Sequence, residues 1–73
     1  MPKLARLSGA EVCRILERNG FREVRRRDSH IVMQKQTAEG TITVPIPDHP
    51  ELRLGTLSAI IRQSKIDRSQ FEG

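Results

Sequence analysis

Hydrophobic residues recur every three to four positions in two stretches, one near each end of the chain. In the first stretch they are Val12, Cys13, Ile15 and Leu16. This spacing places apolar side chains on one face of a helix. Ser8 and Glu11 form an S-x-x-E pattern, in which each residue satisfies a backbone N–H of the first turn. We therefore predict a short arm over residues 1–7 and then a helix that ends at Asn19-Gly20, where glycine suits a left-handed C-terminal position.

The second helical stretch lies in the last third of the chain. Its predicted buried stripe consists of Leu57, Ile60, Ile61 and Ser64. We expect this helix to begin at Gly55-Thr56, with Thr56 as its N-cap. A last short turn is predicted after it, in which Asp67 is the cap and Ile66 packs against Phe71.

Between the two helices the apolar period changes to two, which predicts strands. We expect three antiparallel strands, at residues 22–28, 29–35 and 41–44. Gly40 belongs to the turn before the third strand and supplies the positive φ that such turns often need. Pro45 is expected to end that strand. The order α-β-β-β-α predicts an α+β fold, a two-layer sandwich in which both helices cover one face of a three-stranded antiparallel sheet and the other face stays open.

Alternation along the strands assigns side chains to these two faces. Ile31 and Met33 are predicted to point toward the helices, as is Val24 on the first strand. A register shifted by one residue would expose Ile31 and Met33 to water, so we favour the first assignment. The open face is then predicted to carry Glu23, Arg25, Arg27, His30 and Gln34.

Length and composition limit what such a fold can do. The chain has 73 residues, a formal net charge of +4 and a single cysteine, which predicts one domain spanning residues 1–73. One cysteine excludes a disulfide framework and zinc sites built from cysteine pairs. No apolar run approaches the ~18 residues that a membrane span requires, so we expect a cytoplasmic protein without membrane association. The excess of basic residues favours an anionic partner such as nucleic acid.

His30 is the strongest candidate for a side chain that takes part in acid/base chemistry. An imidazole takes up and releases a proton near neutral pH, and arginine binds phosphate through paired donors. With Arg25 and Arg27 beside it, His30 could remove the proton from a ribose 2′-OH, whose oxygen then attacks the adjacent phosphorus. RNA supplies its own nucleophile in this reaction, which needs neither a metal nor a cofactor. The alternative, an ordinary surface histidine near arginines, stays open on this evidence.

Other candidates for chemistry are weaker. His49 could be a second acid or simply a turn residue in its proline-rich loop. Together with Asp28 and Asp48, the two histidines match no metal-binding spacing, so we expect no metal site. Thr56 could bind a phosphate at a helix N-terminus, although we favour a capped packing helix as its explanation. With two Phe and no Trp or Tyr, the chain has no aromatic platform for stacking bases, which argues against RRM-type and OB-type binders.

Several short stretches at fixed spacing nevertheless point to one family. They are Leu16 to Phe21, Arg27 to His30, Thr43 to Pro45, His49 to Leu52 and Gly55 to Gln63. In this combination the chain resembles the HicA toxin family (YcfA-like mRNA interferases) from about Ser8 to Phe71. The resemblance implies a double-stranded-RNA-binding-domain-like fold and an endoribonuclease that cleaves mRNA. It also implies a HicB-type antitoxin as a protein partner.

The resemblance also implies site residues. Family members resemble one another in using one catalytic histidine that follows a Gly-Ser pair on the second strand, and the matching position here is His30 after Ser29. Asp28 stands where the family usually has glycine, so it either weakens RNA binding or simply accepts the turn conformation. The phosphate ligands are expected to be Arg25, Arg27 and Lys35, and Ser29 is expected to position His30 or the substrate. A non-catalytic RNA-binding module and a pure protein-interaction domain are the alternatives.

Overall fold

The helices and strands follow the predicted order. The computed structural model describes residues 3–73, so Met1 and Pro2 of the predicted arm lie outside the described residues. The elements are α1 (Gly9–Arg18), β1 (Arg22–Arg27), β2 (His30–Thr37), β3 (Gly40–Pro47), α2 (Leu54–Ser64) and a C-terminal 3-10 helix (Arg68–Phe71). The strands form one antiparallel sheet in the order β1-β2-β3. The α+β prediction is therefore confirmed.

The first helix has the predicted caps at both ends. The Ser8 hydroxyl accepts a hydrogen bond from the Glu11 N–H at 3.1 Å, and the Glu11 carboxylate accepts one from the Ser8 N–H at 2.9 Å. Gly20, with a φ of 93°, turns the chain after the helix. The Phe21 N–H then bonds back to the Leu16 carbonyl at 3.0 Å. These contacts satisfy backbone groups that a helix otherwise leaves without partners.

The second helix begins earlier than its sequence suggested. Its N-cap is Arg53, which makes no side-chain capping bond, and Thr56 lies inside the helix. The Leu57 N–H donates to the Arg53 carbonyl at 2.9 Å, so the helix starts at Leu54, three residues before the first helical position that a Thr56 cap predicts. Burial of Leu57, which is 1% exposed, anchors this first turn against the core. The prediction of a Thr56 cap was wrong because packing, rather than a capping side chain, sets the helix start.

The third strand continues through two prolines. Pro45 was predicted to end the strand, but β3 extends to Pro47. The N–H of the next residue, Asp48, bonds to the Ser29 carbonyl at 2.6 Å. Because N–H groups alternate in direction along a strand, Pro45 and Pro47 occupy positions whose N–H would point away from β2. On this edge strand the missing donors break no ladder bond.

A bulge at Val24 changes the predicted faces of β1. The register shifts between Glu23 and Arg25, so that Arg25 lies opposite Val32 while Glu23 lies opposite Met33. Met33 is fully buried against the helices, and directly opposed residues share a face. The prediction that Glu23 faces the open side was therefore wrong. Val24, predicted to point inward, is 39% exposed in the bulge, because the extra residue has no partner on β2.

The core lies between the helices and the inner face of the sheet. Among its most completely buried side chains are Val12, Leu16, Ile31, Met33, Val44, Ile46, Leu57 and Phe71. The two ends of the chain close this core together, since the Ala5 N–H donates to the Phe71 carbonyl at 2.8 Å. The predicted cap of the last turn is also present, with the Asp67 carboxylate accepting from the Ser69 N–H at 2.9 Å. All helix packing is thus on one side, and the opposite face of the sheet stays open.

Candidate nucleic-acid interface

His30 stands at the first position of β2, directly after a two-residue turn. That turn consists of Asp28 and Ser29, and Arg27 and His30 close it as opposed residues. Asp28 has a φ of 54°, in the left-handed region that glycine adopts freely and that aspartate tolerates better than most residues. Of the two interpretations offered for Asp28, this geometry supports the turn conformation. It also explains why glycine would serve equally well there.

Arg25 and Arg27, the first and last residues of the arginine run in β1, lie with His30 on the open face of the sheet. Arg27 lies opposite His30, and Arg25 lies opposite Val32. Cross-strand neighbours of this kind have Cβ atoms ~5 Å apart. Within residues 3–73, the side chains of Arg25, Arg27 and His30 have no hydrogen bond or ion pair, and all three are exposed. Their donors are therefore available to an external anion.

The middle residue of the arginine run has a different environment. Arg26 lies opposite Ile31, a core residue, and so projects from the helix-facing side of the sheet. Its guanidinium lies 2.9 Å from the Asp48 carboxylate and 3.5 Å from the Glu23 carboxylate. Because side chains alternate along a strand, Arg25 and Arg27 are exposed cations on the open face, whereas Arg26 is paired with two carboxylates on the other face.

Ser29 is fixed through its backbone. Its carbonyl accepts the Asp48 N–H at 2.6 Å, while its hydroxyl makes no hydrogen bond within the described part of the chain. The Arg26–Asp48 ion pair reinforces the same connection between the turn and the loop after β3. Ser29 thus holds the start of β2 in place beside His30, and its hydroxyl is exposed.

The structure does not bring Lys35 to this face. Lys35 lies opposite Ile42, and its ammonium is 5.8 Å from the centre of the Phe21 ring. It is half-buried on the helix-facing side at the far end of the sheet from the turn. Residues 30 and 35 are an odd number of positions apart on a regular strand, so their side chains must point to opposite faces. Lys35, predicted with Arg25 and Arg27 as an RNA-phosphate ligand, therefore lies on the other face of the sheet from His30.

Arg22 is the cation that the sequence did not assign to the open face. It lies opposite Gln34, whose side-chain amide donates to the Thr43 hydroxyl across the exposed surface at 3.2 Å. In a regular strand Arg22 would face the helices, and only the bulge at Val24 places it with Arg25. A bulge has no dependable signal in a single sequence, so alternation alone could not have found this residue.

The remaining candidates contribute through backbone or core contacts. The His49 carbonyl accepts the Gly9 N–H at 2.9 Å, which ties its loop to the start of α1. In the described range 3–73, no group of three or more His, Cys, Asp or Glu side chains is placed to hold a metal ion. Cys13 is buried on the apolar stripe of α1, and burial raises the pKa of its thiol to about 11. It is therefore a neutral core residue.

The chain also matches one known protein family over most of its length. The family model described as the HicA toxin of bacterial toxin-antitoxin systems matches residues 9–66, which include both α-helices, all three strands and the turn before His30. This chain belongs to the HicA toxin family. Membership implies a toxin role and an antitoxin as partner. No curated protein matches the chain.

One further property concerns membranes. Across residues 3–73 no helix combines the length and the apolar character that crossing a bilayer requires.

Proposed function

We propose that this HicA-family toxin is a metal-independent endoribonuclease that cleaves mRNA, with His30 as its acid/base group. The observation that carries the proposal is the position of His30, exposed on the open face and directly opposite Arg27. A proton acceptor beside an unpaired guanidinium is the minimum that RNA transesterification needs, because the 2′-OH of the substrate is the nucleophile.

The chemistry follows from these two side chains. The His30 imidazole removes the proton of a ribose 2′-OH, and the bond from the 2′ oxygen to phosphorus forms. The bond from phosphorus to the 5′ oxygen of the next nucleotide breaks, that oxygen takes up a proton from water, and His30 returns its own proton to solvent. The products are a 2′,3′-cyclic phosphate and a 5′-hydroxyl end. Negative charge develops on the phosphoryl oxygens in the transition state.

Arg27 and Arg25 are suited to stabilise that charge. A guanidinium presents a rigid fork of donors that matches two phosphate oxygens. Neither side chain has a carboxylate partner in the described chain, so neither must break an ion pair before it binds RNA. Arg26, which has two carboxylate partners, is a poor candidate for the same role. Ser29 contributes by holding His30 at the start of β2.

The antitoxin partner is proposed to be of the HicB type and to cover this same face. An inhibitor that buries His30 must also neutralise Arg25 and Arg27, since a buried guanidinium without a partner is costly. Acidic groups opposite these arginines would meet that requirement and speed association. Mixing the toxin with such a partner should abolish RNA cleavage.

The test is His30→Ala in the full chain, with His49→Ala as the matched control. Both histidines are exposed, and His49 makes its described contact through its backbone carbonyl. His30→Ala should lower the cleavage rate of RNA by about 10²–10⁴-fold and relieve growth inhibition on expression, whereas His49→Ala should retain both activities. Cleavage by His30→Ala at the parental rate would sink the assignment.

A non-catalytic RNA-binding module is the second candidate. It is favoured by one observation: no described side chain hydrogen-bonds the His30 ring to orient it. Its signature is salt-dependent RNA binding by the parental chain without any cleavage. Partner binding without RNA affinity would instead indicate a pure protein-interaction domain.

A further inference from the structure

The unpaired arginines of β1 form a longer row than the site beside His30 requires. Arg27, Arg25 and Arg22 lie opposite His30, Val32 and Gln34, which are successive open-face positions of β2. All three arginines are exposed, and none has an ion pair within residues 3–73. A row of free cations along one sheet edge is a surface for a repeating anion.

The bulge at Val24 is what makes this row continuous. Without the extra residue, alternation from Arg25 would place Glu23 on the open face and Arg22 against the helices. The bulge reverses this, so Arg22 takes the open position while Glu23 turns inward and lies 3.5 Å from Arg26. A carboxylate that would have interrupted the row is thereby replaced by a third guanidinium.

The row ends in a shallow groove of about 310 Å³, lined by Gly20, Arg22, Gln34, Lys35 and Gln36. Lys35 reaches this groove from the helix-facing side. Its Cε lies 3.3 Å from the position that a Cβ on Gly20 would occupy, so the missing side chain of Gly20 leaves room for the lysine stem. The groove therefore has a cation on two walls, and none of the described residues that line it is acidic.

We infer that Arg27, Arg25 and Arg22 form a phosphate track for one RNA backbone, which runs from the cleaved bond beside His30 to the groove between Arg22 and Lys35. The inference rests on the proposed function and adds a requirement for substrate length. Gln34 lies four residues beyond His30, about 13 Å at ~3.3 Å per strand residue. A dinucleotide has a single phosphodiester and cannot contact both ends, so the enzyme prefers RNA that continues for several nucleotides on one side of the cleaved bond.

RNA fits this row better than an acidic protein segment. The track is continuous with the site at His30, and each guanidinium can bind a phosphate through two parallel hydrogen bonds. An RNA backbone supplies one phosphate per nucleotide along its whole length. A protein segment would need acidic side chains at matching intervals to neutralise the same three cations.

The test uses the full chain carrying His30→Ala, so that bound RNA stays intact. The probes are random-sequence RNA pools of about four and about twelve nucleotides, within the range of single-strand site sizes. The long pool should bind more tightly.

Adding Arg22→Ala should reduce this gain in affinity roughly fivefold, as expected for one exposed charge contact. It should also lower the magnitude of the slope of log Kobs against log salt by about 0.7. Arg14→Ala, which removes an exposed arginine of α1, is the matched control and should preserve the gain, whereas Arg22→Lys should keep the salt slope.

Each outcome decides between the two proposals. If the His30→Ala chain binds both pools equally, the track is overturned while RNA binding beside His30 stands. The same holds if adding Arg22→Ala changes the gain in affinity no more than adding Arg14→Ala does. If neither pool binds, the track and the proposed function fail together. Poly-glutamate serves as the probe for an acidic protein: loss of its binding in Arg22→Ala, with RNA binding unchanged, would overturn the track and assign the row to a protein partner.

Discussion

The Arg26 guanidinium lies 2.9 Å from the Asp48 carboxylate on the helix-facing side of β1, whereas its neighbours Arg25 and Arg27 face the open side and have no ion pair within residues 3–73. The ion pair joins the first strand to the loop that follows the third. On the helix-facing side of the sheet it also supports the turn before His30, because the Asp48 N–H bonds to the Ser29 carbonyl. One run of three arginines thus serves two roles, which substitution can separate.

We expect Arg27→Ala and Arg26→Ala to affect different properties. Arg27→Ala removes a free guanidinium, so it should lower the RNA cleavage rate at least about tenfold while changing the free energy of unfolding by less than about 0.5 kcal/mol. Arg26→Ala breaks a half-exposed ion pair and should cost about 0.5–1 kcal/mol of stability. Urea unfolding and RNA cleavage assays on both variants check this. The reverse assignment of effects would contradict the face that each arginine occupies.

The proposed nucleophile predicts a specific dependence on the sugar. An RNA whose residue 5′ of the cleaved bond carries 2′-deoxyribose or a 2′-O-methyl group has no 2′-OH to deprotonate. Cleavage at that bond should be lost, while binding of the modified RNA to Arg25 and Arg27 should persist because the phosphates are unchanged. Gel analysis of singly modified substrates measures this. Continued cleavage at the modified bond would mean that water, rather than the ribose, is the nucleophile.

Gly9 allows α1 to approach the end of β3. A Cβ at this position would lie 2.0 Å from the Pro47 carbonyl oxygen, a backbone atom that cannot simply move aside. Gly9→Ala should therefore destabilise the fold by roughly 3 kcal/mol, as overpacking does. It should also slow cleavage, since Pro47 lies opposite His30.

Gly55 provides the control for this substitution. A Cβ on Gly55 meets nothing within 4 Å, and the residue lies inside α2. Gly55→Ala should raise stability by about 0.5–1 kcal/mol, because alanine loses less backbone entropy in a helix. Thermal and urea unfolding of the two variants should shift in opposite directions. A neutral Gly9→Ala would show that α1 and β3 are not in close contact in solution.

The capping box at Ser8 and Glu11 predicts a pH dependence of stability. Hydrogen bonds from the backbone N–H and the side chain of Ser8 hold the pKa of Glu11 below its ordinary value of 4.5. Because the folded pKa is lowered, the charged carboxylate stabilises the fold above pH 4.5, and this contribution disappears as the pH falls through the folded pKa.

Glu11→Gln removes the titrating group, so its stability deficit relative to wild type should be largest near neutral pH and shrink on acidification. Glu17→Gln is the control, because Glu17 is an exposed glutamate of the same helix that takes part in the C-terminal cap through its backbone carbonyl and not through its carboxylate. Urea unfolding at a series of pH values measures both differences. A Glu11→Gln deficit that grows as the pH falls would contradict the capping role.

Most elements of the fold are readable from local sequence. The capped start of α1, its end at Gly20 and the burial of Ile31 and Met33 all follow from periodicity and from side chains within a few residues. The exposed positions of Arg25, Arg27 and His30 follow from the same alternation. These features are determined by the sequence itself because each depends on groups that are close along the chain.

Tertiary contacts decided the rest. The bulge at Val24 and the continuation of β3 through Pro45 depend on how one strand pairs with another. Pairing register is a long-range property, and shifting it by one residue exchanges the two faces of a strand. The sequence alone therefore determined that a histidine and two arginines share an open sheet. Strand pairing decided that Arg22 joins them and that Glu23 does not, because only the partner strand sets which residue each position opposes.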